Sequence, residues 1–312
     1  MFLKLIPYLS IARFDHWFKH IFAIPGLLFA LIVISFSEDL NTLFIKIFFG
    51  FLALGFIASA NYTINEYLDS KTDKSHPKKF LRPGAQGKLN RNLVIFEYLF
   101  FIFLSLAFSL YLGSSFIIWI LIFLLMGIIY NVPPFRTKDI PYLDVLSESL
   151  NNPLRFILGW HMIVIDSFPP SSILISYWMG GAFLMSVKRY AEFREIGDEK
   201  IASMYRKSFK FYDEQKLLLS SFFFAICSSF FLGIFLIKYK IEFILTFPLF
   251  SFLFVWYLYL GIKKDSIVQT PEKLYGEKLF LFFSAFIALT VFVLFFIDIP
   301  ILQNLIEVNL YK

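Results

Sequence analysis

The sequence predicts an all-α integral membrane protein, a bundle of about nine transmembrane helices around a central cavity. Its 312 residues are 58% hydrophobic and 21% aromatic, with a mean hydropathy of +0.71, whereas soluble domains are only about half apolar. Apolar runs of about twenty residues, the length that crosses a hydrocarbon core, recur along the chain. The basic residues behind the net charge of +6 cluster in alternate connections between these runs.

Each apolar run is long enough for one membrane-spanning helix. We place the spans at residues 17–36, 43–65, 92–112, 115–132, 144–165, 171–190, 215–237, 241–262 and 277–298. By the positive-inside rule, the N-terminus and the four basic loops face the cytoplasm. The short connection that contains Lys238 and Lys240 is an exception, but it carries fewer basic residues than the four loops together. We expect the membrane to be the cell membrane of a prokaryote.

We expect a single domain over residues 1–312, with an amphipathic segment at residues 1–16 lying on the membrane surface. The first apolar run is too short for a secretory signal, and charged residues follow it in place of a small-residue cleavage site. The one cysteine, Cys227, lies in an apolar run, which excludes a disulfide framework or a thiolate metal site.

A polar stretch follows the second span at residues 65–82, NEYLDSKTDKSHPKKFLR. Asn65, Asp69 and Asp73 are spaced i, i+4 and i+8, so on a helix they share one face. We expect that helix to end at His76, because Pro77 disfavours helical geometry in the residue before it. Oxygen-bearing side chains followed by cations suit Mg²⁺ and the phosphates it carries. The alternative is a solvated juxtamembrane loop.

A second polar stretch follows the fourth span. It starts at Tyr130 and Lys138 and continues into the fifth predicted span. There a polar stripe forms at i, i+3 and i+4 spacings, comprising Asp144, Glu148, Asn151, Asn152 and Arg155. Charges inside a membrane are costly, so we expect the stripe to line a hydrated cavity. A structural hydrogen-bond network within the helix is the alternative.

Other cations lie near predicted membrane boundaries. Arg13 and Lys19 precede or begin the first span, where they are either ordinary flanking charges or contacts for an anionic head group. Lys188 and Arg189 end the sixth span and are the residues of that segment that we expect to turn inward. The segment that follows, to Lys216, is interpreted as a mostly solvated cytoplasmic face.

These patterns favour an enzyme over a transporter. A metal with lysine and arginine side chains can neutralise a departing diphosphate, so that the donor carbon ionises and an acceptor attacks it. Nucleotide-binding, dinucleotide-binding and zinc-protease motifs are missing from the sequence. A transporter would favour ionisable groups at the bilayer midplane and inverted repeats with broken helices, whereas here the acidic groups cluster at cytoplasmic helix ends.

The N-x-x-x-D-x-x-x-D pattern at residues 65–73, with a second acidic motif after the fourth span, resembles the UbiA superfamily of intramembrane prenyltransferases. The stretches ARFDHWFKH, NEYLDSKTDKSHPKKFLRP, IPYLDVLSESLNNPLR and KRYAE are most similar to its polyprenyl-phosphate phosphoribosyltransferase branch, typified by decaprenyl-phosphate phosphoribosyltransferase. The chain departs from the pattern at Glu66, where the family usually has Asp. NVPPFRTKD is more similar to general UbiA-type enzymes, and the ESLNNP stretch is unusual for the branch.

The resemblance implies a Mg²⁺-dependent transferase acting on phosphoribosyl diphosphate and a polyprenyl phosphate, or alternatively on a prenyl diphosphate and a small aromatic acceptor. We expect the partners to be these substrates and the membrane, and we expect no nucleic-acid partner. The implied metal ligands are Asn65, Asp69 and Asp73, and the implied catalytic residues are Asp69, Asp73 and Asp144. The substrate-binding residues that the resemblance implies are Lys79, Arg82, Lys138, Arg155, Lys188 and Arg189. From the residues themselves we add Lys19, Tyr130 and Glu148 as candidates.

Overall fold

The predicted fold class is confirmed, since all regular secondary structure in the described part of the chain is helical. The computed structural model describes residues 6–33, 39–76, 78–264, 266–269, 274 and 276–302. The chain divides into two compact units, residues 1–169 with 196–213 and residues 170–195 with 214–312. The expectation of one domain over the whole chain stays a prediction.

The helices follow one another with short connections. The α-helices are α1 Ile6–Ile11, α2 Ile24–Val33, α3 Leu40–Asp69, α4 Arg91–Ser109, α5 Ser114–Asn131, α6 Leu143–Ser149, α7 Asn151–His161, α8 Ser171–Ile196, α9 Glu199–Tyr205, α10 Glu214–Tyr239, α11 Phe247–Ile262 and α12 Lys278–Phe295. The 3₁₀ helices are Phe14–Ala23, Asp73–Ser75, Lys79–Leu81, Thr137–Asp139, Lys207–Lys210, Ile241–Thr246 and Ile267–Gln269.

Six helical segments among the described residues are long and apolar enough to cross a membrane. They are Leu40–Asp69, Arg91–Ser109, Ser114–Asn131, Glu214–Tyr239, Ile241–Ile262 and Lys278–Phe295. Each corresponds to a predicted span, because an uninterrupted apolar run of this length is the strongest signal that a membrane helix leaves in a sequence.

The other three predicted spans are not among these six segments, so the count of nine stays a prediction. Residues 17–36 form a 3₁₀ helix and then the ten-residue α2, with residues 34–36 outside the described part of the chain. Residues 144–165 form the two short helices α6 and α7, divided at Leu150. Residues 171–190 belong to α8, whose second half carries several charged side chains.

The core of the first unit lies between α2, α3, α5 and α7. Small residues let these backbones approach closely, as is common for helices packed in lipid. A Cβ atom added to Gly26 of α2 would lie 2.0 Å from the carbonyl oxygen of Phe156 in α7. A Cβ added to Gly159 of α7 would lie 2.0 Å from the carbonyl oxygen of Ala23. The two helices are therefore in backbone contact.

In the second unit, reciprocal hydrogen bonds join α8 to α10. Ser176 Oγ donates to the carbonyl of Ser228 at 3.0 Å, and Ser228 Oγ donates to the carbonyl of Ser176 at 2.9 Å. Both hydroxyl groups thus find their hydrogen-bond partners within the helix pair, as is expected where water is excluded.

The N-terminal segment of the first unit is interrupted at Arg13, which has a left-handed backbone with φ of 50°. α1 precedes this turn, and the 3₁₀ helix Phe14–Ala23 follows it. Residues 1–5 of the predicted amphipathic segment lie outside the described residues. Left-handed geometry is uncommon for a residue with a side chain, and here it marks the change from α1 to the 3₁₀ helix.

Candidate active site

The candidate site is built on the C-terminal end of α3. α3 ends at Asp69, whose carbonyl accepts a hydrogen bond from the hydroxyl of Thr72 at 3.1 Å. Hydroxyl side chains that bond to nearby backbone compete with helix continuation. The prediction that the helix reaches His76 was therefore wrong, and Asp73 belongs to a separate 3₁₀ turn. Pro77, on which that prediction relied, lies outside the described residues.

Asp69 is the centre of an ion-paired network. Its Oδ1 atom lies 2.5 Å from Lys138 Nζ and 2.9 Å from Arg136 Nη2. The other carboxylate oxygen accepts a hydrogen bond from Asn65 Nδ2 at 3.2 Å. Two cations and an amide thus stabilise the charge of this carboxylate in a part of the protein that is mostly removed from solvent.

Lys138 is itself buried, with 3% of its surface exposed. Besides Asp69, its ammonium donates a hydrogen bond to Asn131 Oδ1 at 2.9 Å, and that oxygen also accepts one from Asn65 at 2.5 Å. Burial lowers the pKa of Lys138 to about 8, although the Asp69 carboxylate acts in the opposite direction. Lys138 therefore joins the loop after α5 to the end of α3.

Asp73 forms a second ion pair beside the first. Its Oδ2 atom lies 2.8 Å from Arg82 Nη1, and its side chain is almost fully buried. Burial raises the pKa of Asp73, Arg82 opposes that effect, and repulsion from Asp69 adds to it. The two aspartates are thus close enough to interact electrostatically, and each has its own cation.

Lys79 lies against the segment that carries α9. Its ammonium donates a hydrogen bond to the hydroxyl of Tyr205 and lies 4.4 Å from the centre of that ring. The ring of His76 contacts the same tyrosine edge-on, at 4.5 Å between centroids. The 65–82 stretch is therefore covered by an aromatic side chain from a distant part of the sequence.

Tyr130 and Glu148 meet across the α5–α6 connection. The Tyr130 hydroxyl donates to Glu148 Oε2 at 2.6 Å, and Lys138 Nζ lies 5.8 Å from the Tyr130 ring centre. Arg206 Nη1 approaches the Tyr130 hydroxyl and the carbonyl oxygen of Lys138, at 3.4 Å in each case. A second group of cations, Arg136, Lys138 and Arg206, therefore surrounds this side of the site.

Asp144 occupies a different setting from the other acidic residues. It is fully buried, and its carboxylate accepts hydrogen bonds from Tyr212 at 2.7 Å and from Ser208 at 3.1 Å. The Tyr212 hydroxyl in turn accepts a hydrogen bond from the backbone amide of Tyr142 at 2.5 Å. These bonds anchor the segment after α9 to the start of α6. The catalytic role of Asp144 stays a prediction.

Lys19 and Arg155 contact aromatic rings of the same unit. Lys19 Nζ lies 5.5 Å from the centre of the Tyr62 ring. Arg155 is buried, its guanidinium lies 5.2 Å from the Phe123 ring, and its Nη1 donates to the carbonyl of Asn151 in its own helix. Their roles in substrate binding stay predictions.

Lys188 and Arg189 belong to the second unit. Arg189 is buried, as predicted for a side chain that turns inward, and forms an ion pair with Glu192 at 3.3 Å. Lys188 is partly buried. Their proposed contacts with substrate stay predictions.

The oxygen donors at the end of α3 fit Mg²⁺ by their chemistry. In the described part of the chain, no three His, Cys, Asp or Glu side chains converge as a metal site by themselves. Asn65, Asp69 and Asp73 offer one amide and two carboxylate groups, and Mg²⁺ usually completes such a partial set with phosphate oxygens and water. The donor set therefore fits an ion that arrives with a phosphorylated substrate.

The structure adds four residues that the list of predicted site residues lacks, namely Asn131, Arg136, Tyr205 and Arg206. Arg136 and Asn131 lie in or next to the connection between α5 and α6. Polar residues next to prolines in this stretch were the feature of the sequence that could have indicated them. Tyr205 and Arg206 belong to the segment interpreted as solvated, yet Tyr205 is buried and Arg206 is partly buried. An aromatic residue next to an arginine in a basic loop was the only local sign.

The fold and the site together define an all-helical integral membrane protein with an acidic helix end between two groups of cations. Residues 22–285 match the UbiA prenyltransferase family. The chain therefore belongs to the UbiA prenyltransferase family, whose members are transferases.

Solved structures of that family share the fold. A UbiA homologue from Archaeoglobus fulgidus bound to GPP and Mg²⁺ superposes with a TM-score of 0.68, at 20% identity, over 90% of this chain and 99% of that one. The same homologue bound to DMAPP and Mg²⁺ superposes with a TM-score of 0.66, at 19% identity, over 92% of this chain and 98% of that one. A structure described as digeranylgeranylglyceryl phosphate synthase superposes with a TM-score of 0.59, at 18% identity, over 94% of this chain and 97% of that one.

Two curated relatives align with part of the chain. An uncharacterized protein, y4nM, from Sinorhizobium fredii is 29% identical over 152 residues, which is 49% of this chain and 28% of that protein. The nodulation protein NoeC from Azorhizobium caulinodans is 26% identical over 215 residues, which is 69% of this chain and 66% of that protein. The aligned part is thus about a quarter of the first relative and just under two thirds of the second.

Proposed function

We propose that this protein is a Mg²⁺-dependent transferase that moves a sugar phosphate from phosphoribosyl diphosphate to a polyprenyl phosphate and releases diphosphate. The observation that carries the proposal is the pair of cation groups on either side of the end of α3. One group pairs with Asp73 and the other with Asp69. Two phosphorylated substrates would occupy both groups, whereas an acceptor without a phosphate would leave the second group with no phosphate to bind.

The first group is suited to the diphosphate of the donor. Arg82 and Lys79 belong to one short loop after Asp73, and guanidinium and ammonium groups bind phosphate oxygens by charge-assisted hydrogen bonds. A Mg²⁺ ion bound by Asn65, Asp69 and Asp73 would supply further positive charge to the leaving diphosphate. Residues of this loop would hold the donor so that its C1–oxygen bond can break.

The second group is suited to the acceptor phosphate. Lys138, Arg136 and Arg206 surround Tyr130 and Asp69. An oxygen of the lipid phosphate would form the new bond to C1 of the ribose while the bond from C1 to the diphosphate breaks. The attacking oxygen is already ionised at neutral pH, so this transfer needs no general base in the protein.

Transfer of a prenyl chain is the second candidate. It is favoured by the fold neighbours from Archaeoglobus fulgidus, whose structures contain GPP or DMAPP with Mg²⁺. In this reaction the allylic carbon–oxygen bond of the prenyl diphosphate would break, and an acceptor that loses a proton would attack that carbon. The same loop after Asp73 would hold the diphosphate, but the second cation group would have no phosphate to bind.

The decisive experiment supplies both substrate pairs to the purified protein with Mg²⁺. One reaction contains labelled phosphoribosyl diphosphate and a polyprenyl phosphate, and the other contains labelled prenyl diphosphate and an aromatic acid. We expect label to enter the lipid phosphate and the signal to disappear with chelator. Transfer in the second reaction alone would replace our proposal with prenyl transfer, and no transfer in either would contradict both.

Sidedness follows from the same proposal. Phosphoribosyl diphosphate is a water-soluble metabolite, and the positive-inside rule places the basic loops, including Lys79 and Lys138, in the cytoplasm. A cysteine introduced at exposed Lys78 should react with a membrane-impermeant maleimide only in cells whose membrane has been opened. Labelling in intact cells would overturn this orientation.

A further inference from the structure

The last turns of α3 carry two stripes of side chains that face different neighbours. The first stripe faces the N-terminal 3₁₀ helix and comprises Gly55, Ser59, Tyr62 and Glu66. Trp17 lies at its start, because a Cβ added to Gly55 would be 2.7 Å from the Trp17 ring. The indole nitrogen of Trp17 also donates to Ser59 Oγ at 3.0 Å. This part of α3 is thus closed by the N-terminal segment.

Glu66 ends the first stripe and is bound to Arg13. Arg13 Nη2 lies 2.6 Å from Glu66 Oε2, and Glu66 has only 3% of its side chain exposed. The Arg13 guanidinium also lies 5.7 Å from the Tyr62 ring centre. A buried carboxylate with one cation at this distance is a structural ion pair that is costly to break.

The second stripe comprises Asn61, Asn65 and Asp69, spaced four residues apart. Their hydrogen-bond partners on α5 and the loop after it include the Phe123 carbonyl, Asn131 and Lys138. On a helix Glu66 points about 100° from Asn65 but only about 60° from Asp69, so the contact with Arg13, and not the helical spacing, separates it from the second stripe. The carboxylate of Glu66 therefore faces Arg13 and not the candidate metal ligands.

Glu66 also lies beside the loop that carries Arg82. Arg82 interacts electrostatically with both Asp73 and Glu66. The loop is close, because a Cβ added to Gly84 would lie 2.8 Å from the backbone oxygen of Glu66 and 3.3 Å from its Cγ atom. Two carboxylates thus share the field of one guanidinium, and Arg13 neutralises one of them.

We propose that Glu66 is a positioning residue and not a metal ligand: its pair with Arg13 leaves Arg82 committed to Asp73 and fixes the phosphate-binding loop. This inference rests on the proposed function for its catalytic consequence only. Without Arg13, the buried Glu66 carboxylate competes for Arg82 and draws it from Asp73. Removing the Glu66 charge as well ends that competition.

Shortening Glu66 has a specific consequence. An aspartate at this position has one methylene fewer, so in the present backbone its carboxylate lies farther from Arg13 and the 2.6 Å contact is lost. Glu66→Asp brings the motif to the form usual in the family, yet it should lower activity about as much as Arg13→Gln. A metal ligand at position 66 would show the opposite order, with Asp tolerated and Gln inactive.

The test compares Arg13→Gln, Glu66→Gln, Glu66→Asp and the double variant Arg13→Gln/Glu66→Gln. Three quantities are measured for each: the melting temperature in detergent, the affinity for inorganic diphosphate with Mg²⁺, and the Mg²⁺ concentration for half-maximal turnover. We expect Arg13→Gln to weaken diphosphate binding about tenfold, because the buried Glu66 carboxylate, having lost its partner, draws Arg82 away from its position in the phosphate-binding loop. The double variant should recover most of that loss, and Glu66→Gln should keep the Mg²⁺ requirement within about twofold.

Lys240→Gln is the matched control, because Lys240 and Asp298 form an ion pair at 3.1 Å outside the candidate site. It should leave diphosphate affinity unchanged. The proposal is overturned if Glu66→Gln raises the Mg²⁺ requirement tenfold or more, or if the double variant binds diphosphate no better than Arg13→Gln. Absence of turnover in the unmodified protein would contradict the proposed function alone, because melting and diphosphate binding still report on the pair.

Discussion

The ammonium of Lys138 lies 2.5 Å from the carboxylate of Asp69, so a buried ion pair joins the loop after α5 to the end of α3. The two residues are 69 positions apart in the sequence. Because Lys138 is buried and Asp69 is its charge partner, changing Asp69 alone leaves the Lys138 ammonium poorly solvated. The acidic and basic sides of the site are therefore a single electrostatic unit.

Asp69→Asn should abolish turnover and destabilise the protein. The change removes the charge that Lys138 and Arg136 share, and breaking a buried pair costs about 3–5 kcal/mol. The double variant Asp69→Asn/Lys138→Met should regain melting temperature but not activity. Turnover and thermal melting in detergent check this. If Asp69→Asn keeps normal turnover, Asp69 is not a metal ligand.

Arg206→Gln should raise the KM for the acceptor, because one cation of the second group is lost. A charge-assisted hydrogen bond contributes about 1.5–3 kcal/mol, which corresponds to about 10- to 100-fold in affinity. Lys207→Gln is the neighbouring control, since that side chain is 69% exposed, and it should change KM less than twofold. Steady-state kinetics with each substrate varied in turn make the comparison. An equal effect of both variants would reduce the role of Arg206 to general surface charge.

Tyr212→Phe and Asp144→Asn should both loosen the segment after α9. Each removes part of the hydrogen bond between the Tyr212 hydroxyl and the buried Asp144 carboxylate, so their effects should not add in the double variant. Limited trypsin digestion should cleave near Lys207 and Lys210 faster in all three variants. Additive effects on the digestion rate would contradict this prediction, because they would mean that the two residues act independently.

Gly127→Ala should destabilise the contact between α3 and α5. The added Cβ would lie 2.1 Å from the side-chain oxygen of Asn61, one turn from the bond between Asn65 and Asn131. Gly233→Ala is the control, because a Cβ there meets no atom within 4 Å and alanine favours the helix by about 1 kcal/mol. Melting should fall for the first variant and stay level or rise for the second. The prediction fails if both variants melt alike.

The sequence predicted best what depends on local composition. Uninterrupted apolar runs identified the six segments that can cross a membrane, and the spacing of Asn65 and Asp69 placed them on one face of α3. The end of that helix was misplaced, because the hydrogen bond from the Thr72 hydroxyl to the Asp69 carbonyl competes with helical bonds and leaves no periodic signal in the sequence.

The rest of the site could not be predicted, since it depends on contacts between distant positions. Arg206 is 76 residues from Tyr130, and its loop has the composition of any basic cytoplasmic loop. Glu66 reads as a fourth member of the acidic motif, and only its contact with Arg13, 53 residues earlier, separates it from Asn65 and Asp69. A single sequence gives charge and periodicity, but which charges meet is decided by the tertiary fold.

The crossing of α2 and α7 limits how a lipid can reach the site. With Gly26 against the carbonyl of Phe156 and Gly159 against that of Ala23, the two main chains touch and leave no gap for a hydrocarbon tail. This seam is therefore closed to lateral exchange with the bilayer, and a lipid substrate of the proposed kind would enter through another side of the bundle. Larger side chains at Gly26 or Gly159 would separate the two helices and destabilise the bundle, and would not change the access of lipid to the site.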